Sequence, residues 1–307
     1  MSIVAYPMPR VSICIPTYNR GYLVSRAIDS ALAQSETDIE VILLDDASTD
    51  NTREIAASYQ DPRLRVERTP HRLGLDWGFN RPLEVARGTY VTVLCDDDLL
   101  YRESVSRLAD GLDRFPDASF ATSAWNLIDA RGATLKTTRL VKDAPASGAL
   151  VDLRRIVATS WLCRNLIGGT SSVLMRRKAL EGLRFKTQYA QMFDWDMWLR
   201  LLKRGPLLYL PRVLSAYRIH AGSLSVRHKP LAQTADDLLS VSADLAVSRA
   251  EFRGAVSKFD LKRLQVLCLL SASEHGVRNL LQRDRQRVIQ NLGVAKRAVG
   301  MLLDTTS

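Results

Sequence analysis

The sequence predicts an α/β fold: a mostly parallel central sheet with helices on both faces, followed by a C-terminal α-helical region. Three observations predict it. In about the first 100 residues, four short apolar runs rich in β-branched residues alternate with three segments of helical periodicity. That alternation is the signature of parallel βαβ units, whose crossover helices cover the sheet. The apolar runs also end abruptly in polar or acidic residues. Right-handed crossovers put those ends along one rim of the sheet, where ligands bind in open α/β folds. Finally, from about residue 229, apolar residues such as Leu238, Leu245, Phe252, Val256 and Phe259 recur at helical intervals among many Arg and Lys.

Val11 to Ile15 is the first strand, ended by Pro16 and followed by Thr17, Tyr18, Asn19 and Arg20. Leu23, Ala27, Ile28, Ala31 and Leu32 mark one face of the next helix, with Asn19 as its N-cap. Ile39 to Leu44 is the second strand and runs into Asp45 and Asp46. A helix to about Tyr59 follows, capped by Ser48 or Asp50. Leu64 to Val66 is a short third strand, and His71 to Gly74 a loop carrying Arg72. Leu75 to Ala86 is a helix that Pro82 should kink or split and Gly88 should terminate. Tyr90 to Leu94 is the fourth strand, and it meets Asp96, Asp97 and Asp98.

Three adjacent carboxylates repel one another, so the cluster is costly unless a cation or hydrogen-bond donors neutralise it. Carboxylate oxygens suit Mg²⁺ or Mn²⁺. Taken alone, the triplet reads equally well as an acidic turn capping the next helix. Convergence of Thr17, Asn19, Asp45, Asp46, Arg72 and the triplet on one rim favours a site. No dinucleotide fingerprint and no P-loop explains that rim.

Ser104 to Leu112 reads as a helix, and Phe120 to Ile128 and Thr134 to Val141 as strands around a turn at Arg131 and Gly132. Lys142 to Gly148 is a linker-like loop, Leu150 to Trp161 a helix, and the stretch after Ser172 through Met175 a strand. Before that strand, Gly168 and Gly169 let backbone approach a ligand closely or form a plain turn. Gln191 to Gly205 is a helix with a glycine stop. Asp194 lies in its first turn, where the dipole favours a carboxylate and from where it could serve as a general base. Leu207 to Leu210 and Val213 to Ile219 are strands, and His220 follows the last of them.

The 307 residues carry 43 Lys+Arg against 33 Asp+Glu, a net charge of +10. The basic residues are scattered, so no nucleic-acid footprint is indicated, while a phosphorylated ligand or anionic lipid is compatible. The four cysteines form no CxxC pair, which fits a reduced, cytoplasmic setting. No run of 18 apolar residues and no signal sequence is present, so the expected protein is soluble or peripheral at the inner face of a membrane.

Six motifs in order carry a resemblance. They are Val11 to Arg20; Val41 to Asp50; Arg72 to Gly74 with Asn80; Val93 to Leu100; Asp194 to Arg200; and Tyr217 to His220. Together they resemble the bacterial family 2 glycosyltransferases, with a GT-A fold, across about residues 9 to 225. The resemblance implies a glycosyltransferase domain over residues 1–225. Its nucleotide-binding half spans about 9–100 and its acceptor half about 101–225, with the helical region at 226–307.

It implies an inverting transfer from a nucleotide-diphospho-sugar, UDP- or dTDP-linked, to a saccharide or lipid-linked acceptor in polysaccharide or glycolipid assembly, with Mn²⁺ or Mg²⁺. Pro16, Thr17, Asn19, Asp45, Asp46, Arg72, Asp96, Asp97 and Gly169 would bind the nucleotide-sugar. Asp98, Asp96 and His220 would hold the metal, and Asp194 would be the base. The C-terminal helices would offer a peripheral membrane contact or a homo-oligomer interface. A nucleotidyltransferase on a related fold, or a nucleotide-sugar-binding protein without catalysis, are the other classes.

Two positions depart from the family pattern. Cys95 stands where the acidic motif often begins with Asp, and Phe193 stands where Glu often precedes the base. Asp196 is the alternative base, about 200° around the helix from Asp194.

Overall fold

The structure is a computed structural model, described here for residues 8–152, 167–189 and 192–223. The chain divides into two compact units. One comprises Met1–Val151, Leu166–Phe185 and Arg200–Ser223; the other comprises Asp152–Asn165, Lys186–Leu199 and Leu224–Ser307. The helices expected over 226–307, and the membrane or oligomer contacts assigned to them, lie outside the described residues.

The first unit is built on a ten-stranded mixed sheet. Its strands are β1 (Val11–Thr17), β2 (Ile39–Asp45), β3 (Leu64–Arg68), β4 (Tyr90–Val93), β5 (Leu99–Leu100), β6 (Phe120–Ile128), β7 (Thr134–Thr138), β8 (Ala149–Val151), β9 (Val173–Arg176) and β10 (Leu207–Arg218). The order is β3-β2-β1-β4-β9-β6-β10-β5, with β7 on β6 and β8 on β10. Strands β3, β2, β1 and β4 are parallel. Strand β9 is antiparallel to both β4 and β6, and β10 is parallel to β6. The carboxyl ends of β1, β2, β4, β6 and β10 therefore share one rim with the amino end of β9.

Helices α1 (Gly21–Leu32), α2 (Thr52–Ala57), α3 (Leu75–Val85) and α4 (Ser104–Arg114) connect the strands. The chain steps from β1 out to β3 and then back across β1 to β4. With right-handed crossovers, α1 and α2 cover one face and α3 the other. Every residue of β2 is buried, as a parallel strand covered on both faces requires. Ile13, Ile15, Val41 and Leu43 pack with Val24, Ala27 and Ile28 of α1 and with Val105, Leu108 and Leu112 of α4. Each fully buried Val, Leu or Ile contributes about 1.5–3 kcal/mol. No described helix is long and apolar enough to cross a membrane.

Several local expectations are corrected. Leu150 and Val151 lie in β8, paired with Leu208 and Leu207, instead of starting a helix; residues 153–161 of that expected helix lie outside the described residues. Strand β7 stops at Thr138, short of Val141. The two strands expected over 207–219 are one strand, β10, with irregular register around Val213. Helix α3 runs through Pro82 without splitting.

The residue preceding α1 is Arg20, and no side chain of that residue caps the helix. Instead, Asp50 accepts the Gly21 N–H at 2.9 Å, while Asn19 faces the Ser48–Thr49 turn. Gly88 is not the residue that caps α3, which is Ala86. A Cβ at Gly88 would lie 2.6 Å from the Ser12 nitrogen, so glycine is required by close approach of backbone to β1.

Candidate functional site

The acidic triplet leaves β4 at the rim, where β1 lies between β2 on one side and β4 on the other. Asp98 is 1% exposed. Its Oδ1 accepts the Arg218 backbone N–H at 2.9 Å and its Oδ2 accepts the Ser171 hydroxyl at 2.6 Å. Ser171 Oγ in turn accepts the Cys95 N–H at 3.0 Å, so one side chain from the turn before β9 fixes both ends of the cluster. Burial, and then the charge of Asp97, push the Asp98 carboxyl well above the usual carboxylate range.

Asp97 Oδ2 meets His220 Nε2 at 3.0 Å. The Gly222 N–H donates to His220 Nδ1 at 3.1 Å, so Nδ1 is the acceptor and Nε2 carries the proton given to Asp97. Asp96 lies 4.0 Å from Arg20 Nε and keeps 13% of its side-chain exposure. Its carboxyl is pushed up to about 7 by burial and then by Asp97, against the Thr17 hydroxyl and Arg20. Burial, Asp98 and Asp97 likewise raise the Cys95 thiol well above its ordinary range.

Among the described residues, donor atoms of Cys95, Asp97 and Asp98 lie within 4.8 Å of one another. This set differs from the expected Asp98, Asp96 and His220, since His220 Nε2 faces Asp97 rather than open space. The donor chemistry fits a hard divalent cation. Two carboxylates are the strong ligands, and a thiol kept protonated is a weak one. The raised carboxyls are those of a negative cluster whose countercharge a cation would supply.

The other expected residues spread along the same rim. Asp46 is 5% exposed, and its carboxylate accepts the Leu73 and Gly74 N–H groups, each at 2.7 Å, and the Thr69 hydroxyl at 3.2 Å. Asp45 accepts the Ser48 N–H at 2.9 Å and pairs with Arg68. Both carboxylates thus shape the loops after β2 and β3. Asn19, held at φ 52°, accepts the Thr49 N–H at 2.7 Å and donates its own N–H to Ser48 Oγ at 3.0 Å. Arg72 is exposed and stacks on Tyr18 at 4.2 Å from the ring centroid. Pro16 packs against Gly78 of α3. A Cβ on Gly169 would meet nothing within 4 Å; its neighbour Gly168, at φ +103°, has no room for one.

Asp194 belongs to the second unit. Helix α5 (Phe193–Leu202) begins there, and Asp194 Oδ1 accepts the Trp195 N–H at 2.6 Å. Asp194 is partly exposed, whereas Asp196 is 4% exposed.

Two arginines escaped the sequence reading. Arg218 is 1% exposed, and its guanidinium donates to three backbone carbonyls: Nε to Asp97 at 2.8 Å, Nη1 to Asp129 at 3.1 Å and to Ala130 at 3.2 Å. Its readable signal is a cation inside the apolar run Leu214 to Ile219. Arg20 donates to the Gly222 carbonyl at 2.6 Å and to the Tyr22 hydroxyl at 2.8 Å, linking the β1 tip to the turn after β10. A Cβ at Gly222 would lie 2.7 Å from the Arg20 guanidinium, so a larger residue there would shift this link.

The family model described as glycosyl transferase family 2 matches residues 12–183. An uncharacterized protein of Mycobacterium tuberculosis is 33% identical over 229 residues, covering 71% of this chain and 70% of that protein. The chain spans 35% and 34% of the length of two matching uncharacterized glycosyltransferases, from Rickettsia felis and Rickettsia conorii. Among solved structures, Staphylococcus aureus TarS 1–349 in complex with UDP-GlcNAc superposes with a TM-score of 0.69 at 18% identity, covering 94% of this chain and 81% of that one. The mannosyltransferase PcManGT of Pyrobaculum calidifontis, in complex with GDP-Man and Mn²⁺, gives 0.54 at 17% identity, covering 97% and 88%. At these identities the structural likeness establishes the fold alone.

Proposed function

The chain belongs to glycosyl transferase family 2, and from that premise we propose that it transfers a sugar, with inversion, from a nucleotide-diphospho-sugar to an acceptor hydroxyl. The observation that carries this reading is the rim cluster of Asp96, Asp97 and Asp98, braced by Ser171, Arg218 and His220. Cys95, Asp97 and Asp98 are the residues that would hold a divalent cation, Mn²⁺ or Mg²⁺. Bound there, it would neutralise the diphosphate and improve it as a leaving group. The TarS complex with UDP-GlcNAc and the PcManGT complex with GDP-Man and Mn²⁺ support this donor and metal class.

The chain's own residues would do the rest. Thr17, Asn19 and the Asp45–Asp46 loops would line the base and ribose, a UDP- or dTDP-sugar being the expected donor. Arg72, exposed on Tyr18, would lie along the nucleotide. His220 would orient Asp97 through its Nε2–H. Asp194 would take the proton from the acceptor hydroxyl, and the hydroxyl oxygen would displace the nucleotide from the opposite face. A polysaccharide or lipid-linked acceptor at the inner face of a membrane is the proposed setting. The test is a panel of UDP-, dTDP- and GDP-sugars with Mn²⁺, read by release of nucleotide and by the anomeric configuration of the product. One donor turned over with inverted product is expected. A retained configuration, or no turnover across the panel with simple saccharide and lipid-linked acceptors, would overturn the reading.

A further inference from the structure

Several arginines of the described chain are neutralised where they stand. Arg10, Arg63, Arg68, Arg81, Arg87 and Arg184 each pair with a carboxylate. The hairpin of β6 and β7 concentrates cations without such partners. From Ala130 to Lys142 the sequence carries Arg131, Lys136, Arg139 and Lys142 and no acid. All four are exposed, and none makes a salt bridge among the described residues. Asp129, at the foot of the turn, directs its carboxylate to the backbone N–H groups of Arg131 and Ala133, both at 2.9 Å. Leu135 stands among these cations with 58% exposure.

The hairpin is also tied to the acidic cluster. The guanidinium of Arg218 holds the Asp129 and Ala130 carbonyls at the turn, together with the Asp97 carbonyl. The turn therefore leaves the same rim as the candidate site.

We propose that the β6–β7 hairpin docks this rim on an anionic lipid bilayer, with Arg131, Lys136, Arg139 and Lys142 against the headgroups and Leu135 entering them. Basic charge combined with one apolar side chain is the pairing that peripheral membrane attachment requires. Lysine on an edge strand alone would serve to prevent edge pairing. An exposed leucine beside it works against that purpose and fits a surface that receives it. Residues 130–142 include no aromatic ring and no Asn or Gln, so the hairpin has no stacking platform for a nucleic-acid base or a sugar and no amide to read one. On the glycosyl-transfer reading, on which only this consequence rests, docking brings the rim to a membrane-held acceptor.

The test is co-sedimentation of the full-length chain with vesicles of equal parts phosphatidylglycerol and phosphatidylcholine, and with pure phosphatidylcholine. No donor or metal is present, so the outcome is independent of any activity. The wild type should bind the anionic vesicles, less so at high salt, and ignore the neutral ones. Lys136→Gln/Arg139→Gln should weaken binding by about thirtyfold, at roughly fivefold per cation, and Leu135→Ser should weaken it further. Arg53→Gln/Arg114→Gln, with the same change in net charge, should bind as the wild type does. Should the double variant misfold by circular dichroism, Lys136→Gln alone, with about a fivefold loss expected, decides. No wild-type binding, equal losses in both double variants, unchanged binding of Lys136→Gln/Arg139→Gln, or equal binding to neutral vesicles would each overturn the proposal.

Discussion

Replacing Arg218 with methionine removes a buried guanidinium while keeping much of its volume. Three hydrogen bonds from a charged donor disappear, to the carbonyls of Asp97, Asp129 and Ala130. At about 1.5 kcal/mol each, the loss is about 4.5 kcal/mol. Part of it returns, because the cation no longer has to be desolvated; burial is the main influence lowering the Arg218 pKa. Allowing about 2 kcal/mol for that relief leaves a net destabilisation of about 2–3 kcal/mol. The backbone N–H to Asp98 survives, so Asp98 itself should stay in place. Urea denaturation measures the first effect, and hydrogen exchange at Arg131 and Gly132 measures release of the turn. Stability within about 0.5 kcal/mol of wild type, together with unchanged exchange at the turn, would refute the idea that Arg218 ties the hairpin to the acidic cluster.

Gly88→Ala should destabilise by about 1–3 kcal/mol, because its Cβ would meet the Ser12 nitrogen at 2.6 Å and the Val11 carbonyl carbon at 2.8 Å; an unchanged melting temperature would show that β1 can yield. Asp96 titrates at about 7 in the folded chain, against about 3.9 when unfolded. The folded state thus binds the extra proton between those values, so this group's contribution to stability falls as pH rises from about 4 to 7. A cation held by the neighbouring Asp97 and Asp98 would favour loss of that proton by its charge, so Mn²⁺ affinity should rise between pH 6 and pH 8, with proton release visible in buffers of different ionisation enthalpy. A flat profile would contradict that. Asp194→Asn should abolish transfer while leaving nucleotide affinity intact; survival of transfer there, with loss in Asp196→Asn, would reassign the base.

Strands β1, β2 and β4 were readable because they are buried over most of their length, so their apolar runs are nearly unbroken, and α1 was readable from one buried face at helical spacing. The acidic triplet was readable for the opposite reason, three charges at the end of such a run. Other features depend on partners far away in the chain. Strand β5 is two residues long and exists only because Leu99 and Leu100 meet β10. Leu150 opens a stretch whose sequence pattern predicts a helix, yet pairing with Leu208 decides its conformation. Turns brought back to the rim supply Asp45 and Asp46 with N–H donors that no local spacing encodes. The His220 tautomer needed the position of the Gly222 N–H, which no spacing encodes.

The most direct measurement is calorimetric titration of UDP, and of the UDP-sugar that turns over, into wild type, Asp97→Asn and Asp98→Asn, each with and without Mn²⁺. Binding that requires Mn²⁺ in the wild type and is lost in both variants is the predicted result. Equal binding with and without the metal, or unchanged Mn²⁺-dependent binding in both variants, would contradict the assignment of this rim to a metal-bound nucleotide-diphospho-sugar.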